Sequence, residues 1–148
     1  MSRGCGSEAD ATVLAFDFGT RRIGVAVGNT LTRIAHPLAT LASGNAAARW
    51  SAVGALLDEW RPRRLVVGLP VHADGTEHAM TAQVRTFARE LERRFMLPVA
   101  LEDERYSSEV ARDALAAAGR GGRADRALRD GVAAQVILQA WFDARHDA

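Results

Sequence analysis

The sequence predicts an α/β domain: a five-stranded mixed sheet, its first three strands antiparallel, flanked by helices. Two β-branched apolar runs near the start are joined by a glycine-containing turn, which predicts a hairpin. Further along, short apolar runs alternate with segments of helical periodicity, and strands joined by crossover helices must run parallel. A chain of 148 residues with 48% hydrophobic and 25% charged residues suits one globular core, and no repeat or long linker divides it. The reading assigns residues 1–11 to a flexible tail and 12–148 to a single domain.

Each element has its own justification. From Thr12 to Gly28 the chain reads TVLAFDF, GTRR and IGVAVG, which supplies the hairpin. Ile34 to Leu41 is extended but interrupted by Pro37, which cannot donate to a ladder and so belongs on an edge strand. A helix follows with Ala48, Ala52, Ala55, Leu56 and Trp60 expected inward, stopped by Pro62. Arg64 to Gly68 is a short buried strand. The next helix has an inner stripe of Met80, Val84, Phe87, Leu91 and Phe95 at spacings of three and four. Pro98 to Leu101 begins the fifth strand. Ser108 to Gly119 reads as a helix with a Ser cap and a Gly stop. After the Gly/Arg-rich GRGGRADR, expected to be mobile, a last helix from about Arg129 to Ala144 turns Ala133, Ala134, Ile137 and Trp141 inward.

Charge and composition narrow the function classes. The net charge of +1 gives no global basic signal, so any nucleic-acid contact must come from local arrangement. All nineteen basic residues are Arg, whose planar fork suits phosphate. The single cysteine, Cys5, can build neither a disulfide within the chain nor a thiolate cage alone. No apolar run is long enough for a membrane span, and the first ten residues lack the apolar stretch of a secretory signal, so a cytoplasmic protein with no membrane partner is expected.

Three acidic positions stand out. Asp17 interrupts an otherwise apolar strand, where an unpaired carboxylate costs several kcal/mol to bury. Glu102, Asp103 and Glu104 form a row where the fifth strand emerges, and alternation sends Glu102 and Glu104 to one side and Asp103 to the other. Asp130 is expected in the first turn of the last helix. Carboxylates brought together repel by about 4 kcal/mol per close pair at an effective dielectric near 20. Divalent cations remove that penalty, and hard oxygen ligands select Mg²⁺ or Mn²⁺, which activate water and stabilise a leaving oxygen in phosphodiester cleavage. The turn Gly19, Thr20, Arg21 and Arg22 and the loop beginning at Gly68 offer N–H groups to phosphate, and Arg105, Arg120 and Arg123 are candidate grips on a nucleic-acid strand.

Four blocks, DFGTRRIGVAVG, VVGLPVHADGT, LPVALEDERYSS and RDGVAAQVILQAWF, resemble in order and spacing the YqgF family of pre-16S rRNA nucleases, also described as Holliday junction resolvase-like and related to RuvC. The resemblance implies a ribonuclease H-like fold, a cytoplasmic role in processing the 5′ end of pre-16S rRNA, and a metal site of Asp17, Glu104 or its neighbour Asp103, and Asp130. The chain departs from the family pattern at Asn29, at Ser107 and Ser108 in place of threonines, and at Gly131 in place of serine. Asn29 lacks the charge a metal ligand needs. Two alternatives accompany this reading: a Holliday junction resolvase on branched DNA, which requires a homodimer rather than a monomer because it cuts two strands symmetrically, and a non-catalytic RNA-binding or actin/Hsp70-like nucleotide-binding module.

Overall fold

The computed structural model describes residues 11–70, 80–103 and 123–146. The elements run β1 Thr12–Phe18, β2 Arg22–Asn29, β3 Ala35–Ala42, α1 Ala46–Trp60, β4 Arg64–Leu69, α2 Thr81–Phe95, β5 Val99–Asp103 and α3 Arg123–His146. The five strands form one sheet in the order β3-β2-β1-β4-β5. β1 pairs antiparallel with β2, and β2 with β3, whereas β4 runs parallel to both β1 and β5. The mixed sheet with an antiparallel start is as expected, and β3, which carries Pro37, is an edge strand.

Strand alternation divides the core into two layers. Leu14 and Phe16 of β1 join Ile23, Val25, Leu65 and Val67 against α1 and α2, while Val13 and Ala15 face the other way and join Ala26, Val66, Ala134, Ile137, Leu138 and Phe142 against α3. At roughly 25 cal/mol per Å² of apolar surface, both layers contribute, since Leu14, Phe16, Ile137 and Leu138 are all essentially sealed from water.

The helices refine the sequence reading. In α2, Val84, Phe87 and Leu91 are buried, with Met80 and Phe95 packed at the edges, as the periodicity predicts. In α1 the expected alanine stripe is not the buried one: Val53 and Leu57 are buried and Trp50 and Trp60 lie half-buried beside them, whereas Ala48 and Ala55 are exposed. Positions 50, 53, 57 and 60 form a stripe of their own, and the bulkier side chains dock because they remove more apolar area from water. Asn45 caps α1, its Oδ1 accepting from the Ala48 N–H at 3.0 Å.

α3 begins at Arg123, six residues before its expected start. Asp130 therefore lies inside the helix rather than in its first turn, and the favourable dipole expected there falls off within the first turn. The Arg123 to Arg126 end of the Gly/Arg-rich stretch, expected to be mobile, is helical. The inward set Ala133, Ala134, Ile137 and Trp141 is buried as expected, joined by Leu138 and Phe142. Side-chain amides tie α3 to the β3 edge: Gln135 Nε2 donates to the Ala35 carbonyl at 2.9 Å, and Gln139 accepts from the Ala35 N–H and donates to the Arg33 carbonyl. The expected helix from Ser108 to Gly119 and Cys5 lie outside the described residues.

Candidate active site

Asp17 sits near the carboxyl end of β1, two residues beyond Ala15 and four beyond Val13. Alternation places it on the α3 face of the sheet. It is half-buried and pairs across β2 with Gly24. The parallel register of β1 and β4 aligns Phe16 with Val67, so the next step sets Asp17 beside Gly68, and Gly68 is the partner of Glu102 on β5. Ala100 packs in the α3 layer and Val99 in the other, so Glu102 also faces α3. One row across the sheet therefore reads Gly24, Asp17, Gly68, Glu102. Gly68 brings no side chain to separate the two carboxylates, whose strands stand about 9–10 Å apart, two inter-strand spacings.

The neighbouring acids differ. Asp103 follows Glu102 and so falls on the opposite face from Asp17, exposed to solvent. Glu104, Arg105 and Arg120 lie outside the described residues, and Arg123 is placed only as the first residue of α3. Glu102 belongs to the row although sequence reasoning took it only as part of an acidic run. The signal that finds it is the register of β4 with β5, which no local pattern contains.

α3 completes the frame. Gly131 approaches Pro37 so closely that a Cβ added there would stand 3.1 Å from the proline Cβ, while Gln135 and Gln139 meet Ala35, and Phe142 lies against Gly28. The helix thus runs antiparallel to β1, with its early turns toward the carboxyl end of that strand. Asp130 precedes Gly131 in α3, and Gly131 meets Pro37 in the row of Ala26 and Ala15, two residues before Asp17 on β1. A side chain at Gly131 would make Pro37 give by a few tenths of an ångström, so glycine eases this approach of helix and edge strand. Asn29 lies at the other end, paired with Thr12, and its Oδ1 accepts from the Leu31 N–H at 2.7 Å. That residue shapes the β2–β3 turn, remote from the acidic row.

Beyond Asp17 the chain turns sharply through Gly19, Thr20 and Arg21 into Arg22, the first residue of β2. A Cβ on Gly19 would meet the Arg22 carbonyl oxygen at 2.6 Å, so the turn closes only with glycine there. The Arg21 carbonyl accepts from the Ser43 N–H at 2.8 Å, which fixes the turn to the end of β3, and the Thr20 and Arg21 side chains face solvent. Among the described residues no three His, Cys, Asp or Glu side chains form a cation cage; of the three carboxylates expected as ligands, Asp17 is the one whose surroundings are described.

This sheet order, with a long helix across one face, is that of a ribonuclease H-like fold. The fold is similar to Thermus thermophilus RuvC in complex with a Holliday junction substrate, with a TM-score of 0.53 at 18% identity over 93% of this chain and 96% of that one, and to RuvC of the same organism alone, with a TM-score of 0.50. The chain belongs to the RuvX family, described as Holliday junction resolvases, whose model matches residues 11–144. Among curated relatives, it is 51% identical over 142 residues to a Nitrosomonas europaea protein named "Putative pre-16S rRNA nuclease", covering 96% of each chain. A Chromobacterium violaceum protein of the same name is 53% identical over 131 residues, covering 88% of this chain and 96% of that one.

Proposed function

We propose that this chain is a divalent-metal-dependent endonuclease that hydrolyses phosphodiester bonds at the carboxyl end of β1, with the 5′ end of pre-16S rRNA as its substrate. The observation that carries the reading is the shared row of Asp17 and Glu102 across Gly68. The names of the relatives support the substrate. The fold is one that RuvC uses.

The donor set fits a hard cation. Asp17, Glu102, Glu104 and Asp130 offer carboxylate oxygens alone, which suit Mg²⁺ or Mn²⁺ rather than softer metals. Bound there, such ions supply a water of lowered pKa and compensate charge on the leaving oxygen. Asp17 extends a strand that is sealed on both faces through Phe16 and paired with β2 and β4, which fixes the backbone that carries its carboxylate. In this proposal the backbone N–H groups of the Gly19 turn meet the phosphate, and Arg21 and Arg22 add positive charge that positions it without reading a base. Arg105, Arg120 and Arg123 extend that grip in this proposal. No described helix is long and apolar enough to cross a membrane, and the proposed site of action is the cytoplasm.

The second reading is resolution of four-way DNA junctions, favoured by the description of the family model. The two are separated by offering pre-16S RNA and four-way junctions side by side, with and without Mn²⁺. Metal-dependent cleavage of the RNA with intact junctions supports the first; the opposite pattern supports the second. Failure of the wild-type protein to cut either would refute both.

A further inference from the structure

On the face of the sheet opposite Asp17, the ends of α1 and α2 enclose a cleft of about 330 Å³ lined by Phe18, Arg49, Trp50, Gln83, Thr86 and Phe87, together with Glu90. Phe18 immediately follows Asp17, so the cleft and the acidic row meet at the same end of β1, separated by the thickness of the sheet and bridged by the Gly19 turn. We propose that this cleft takes one unstacked base of the nucleic-acid strand whose backbone is cut beside Asp17, an inference that rests on the nuclease reading above.

Three aromatic rings line the cleft with the guanidinium of Arg49 among them, and Arg94, outside the lining, covers Trp50. Phe87 stacks on Trp50 at 5.3 Å between centroids and packs on Phe18 at 4.7 Å. Arg49 lies over the Phe18 ring at 5.4 Å and Arg94 over the Trp50 ring at 4.6 Å. Aromatic faces with neighbouring arginines are how proteins hold single-stranded nucleic acid without sequence preference. Arg49 uses one Nη2–H on the Ser43 carbonyl at 2.9 Å, but its buried Nε–H has no acceptor. A buried donor left unmade is costly, and a base that displaces the guanidinium from the Phe18 face stacks in its place while its carbonyl or ring nitrogen supplies the missing acceptor. Gln83 and Thr86, both exposed at the rim, offer further polar groups that a base edge can use.

The apolar rings of the same lining favour a flat base over a phosphate, which would give up its hydration against them. Glu90 contributes a carboxylate to the wall, and its charge is already committed to Arg93 at 2.6 Å and Arg94 at 2.8 Å.

The test uses the full chain carrying Asp17→Asn, so that binding is measured without cleavage, and short single-stranded RNA and DNA oligonucleotides in which an abasic site is walked along the strand. At one position, within a few nucleotides of the bond that the wild-type protein cuts, the abasic site weakens binding by about 5- to 150-fold, the range one stacked base carries. Gln83→Trp, which fills the cleft from an exposed position and spares the core, binds intact and abasic strands alike. An abasic penalty at no position, or one that survives Gln83→Trp, overturns the proposal. Cleavage by the wild-type protein without any such penalty defeats the base cleft alone, whereas absence of both binding and cleavage defeats the nuclease reading and the cleft with it.

Discussion

Gly28 offers a test of how α3 is held on the sheet. A Cβ added there would stand 2.6 Å from Phe142 Cε2 and 2.9 Å from both Phe142 Cζ and the Ile34 carbonyl oxygen. Carbon atoms in good contact sit roughly 3.5–4.0 Å apart, so the ring must retreat by about 1 Å. Phe142 is 2% exposed and flanked by Trp141, with ring centroids 5.5 Å apart, which leaves it no free direction. Overpacking of this kind costs about 1–3 kcal/mol. For a domain of this size that lowers Tm by roughly 2–12 °C. Thermal unfolding followed by circular dichroism measures the change for Gly28→Ala, Phe142→Leu and the double variant. Because the leucine withdraws the atoms that clash, the double variant should be more stable than the sum of the single effects by about 0.5–3 kcal/mol, the coupling of residues in contact. The Ile34 carbonyl remains, so the rescue is partial. Cleavage at a temperature well below the midpoint should persist, since Phe142 is roughly 18 Å along the helix from Asp130. Additive effects, or a wild-type Tm for Gly28→Ala, would refute the packing argument.

Four further outcomes follow from the site and the surface. Asp17→Asn should lower cleavage about a hundredfold or more, as expected when several kcal/mol of charge stabilisation are withdrawn, with the Tm nearly unchanged; a fully active variant counts against the catalytic role. Glu102→Gln should reduce the cleavage rate by about tenfold or more and raise the Mn²⁺ concentration needed for half-maximal rate, while Asp103→Asn, on the other face, stays within about twofold; the reverse ranking would show that β5 twists out of the register its pairing gives. Chelation with EDTA should abolish cleavage and Mn²⁺ should restore it, whereas activity persisting in chelator excludes the cation. The hydrogen bond from Arg93, then that from Arg94, holds the Glu90 carboxyl below its usual range. A depressed carboxyl contributes stability above its unfolded pKa and loses it as pH falls through the folded value. Glu90→Gln should therefore be slightly less stable than wild type near neutral pH and match it in acid, and a Tm difference that does not change with pH would contradict this.

How much was legible in the sequence varies with the range of the interaction involved. The hairpin of β1 and β2, the buried β4 and the inner stripe of α2 were readable because each is written in local periodicity, at two residues per strand repeat or 3.6 per helical turn. Pro37 marked β3 as an edge for an equally local reason, its missing N–H. Asp17 was visible as one carboxylate in an apolar run. The partner that β5 sets in its row was not, because Glu102 reaches that row only through two parallel registers, β1 with β4 and β4 with β5. Those pairings are decided by crossover helices and by which apolar faces meet. The buried stripe of α1 was settled the same way, by the bulk of Trp50, Val53 and Leu57 against the sheet. Local spacing can name a face of a helix or strand, but the free energy that selects among candidate faces comes from surfaces distant in sequence, and only the assembled sheet brings those together.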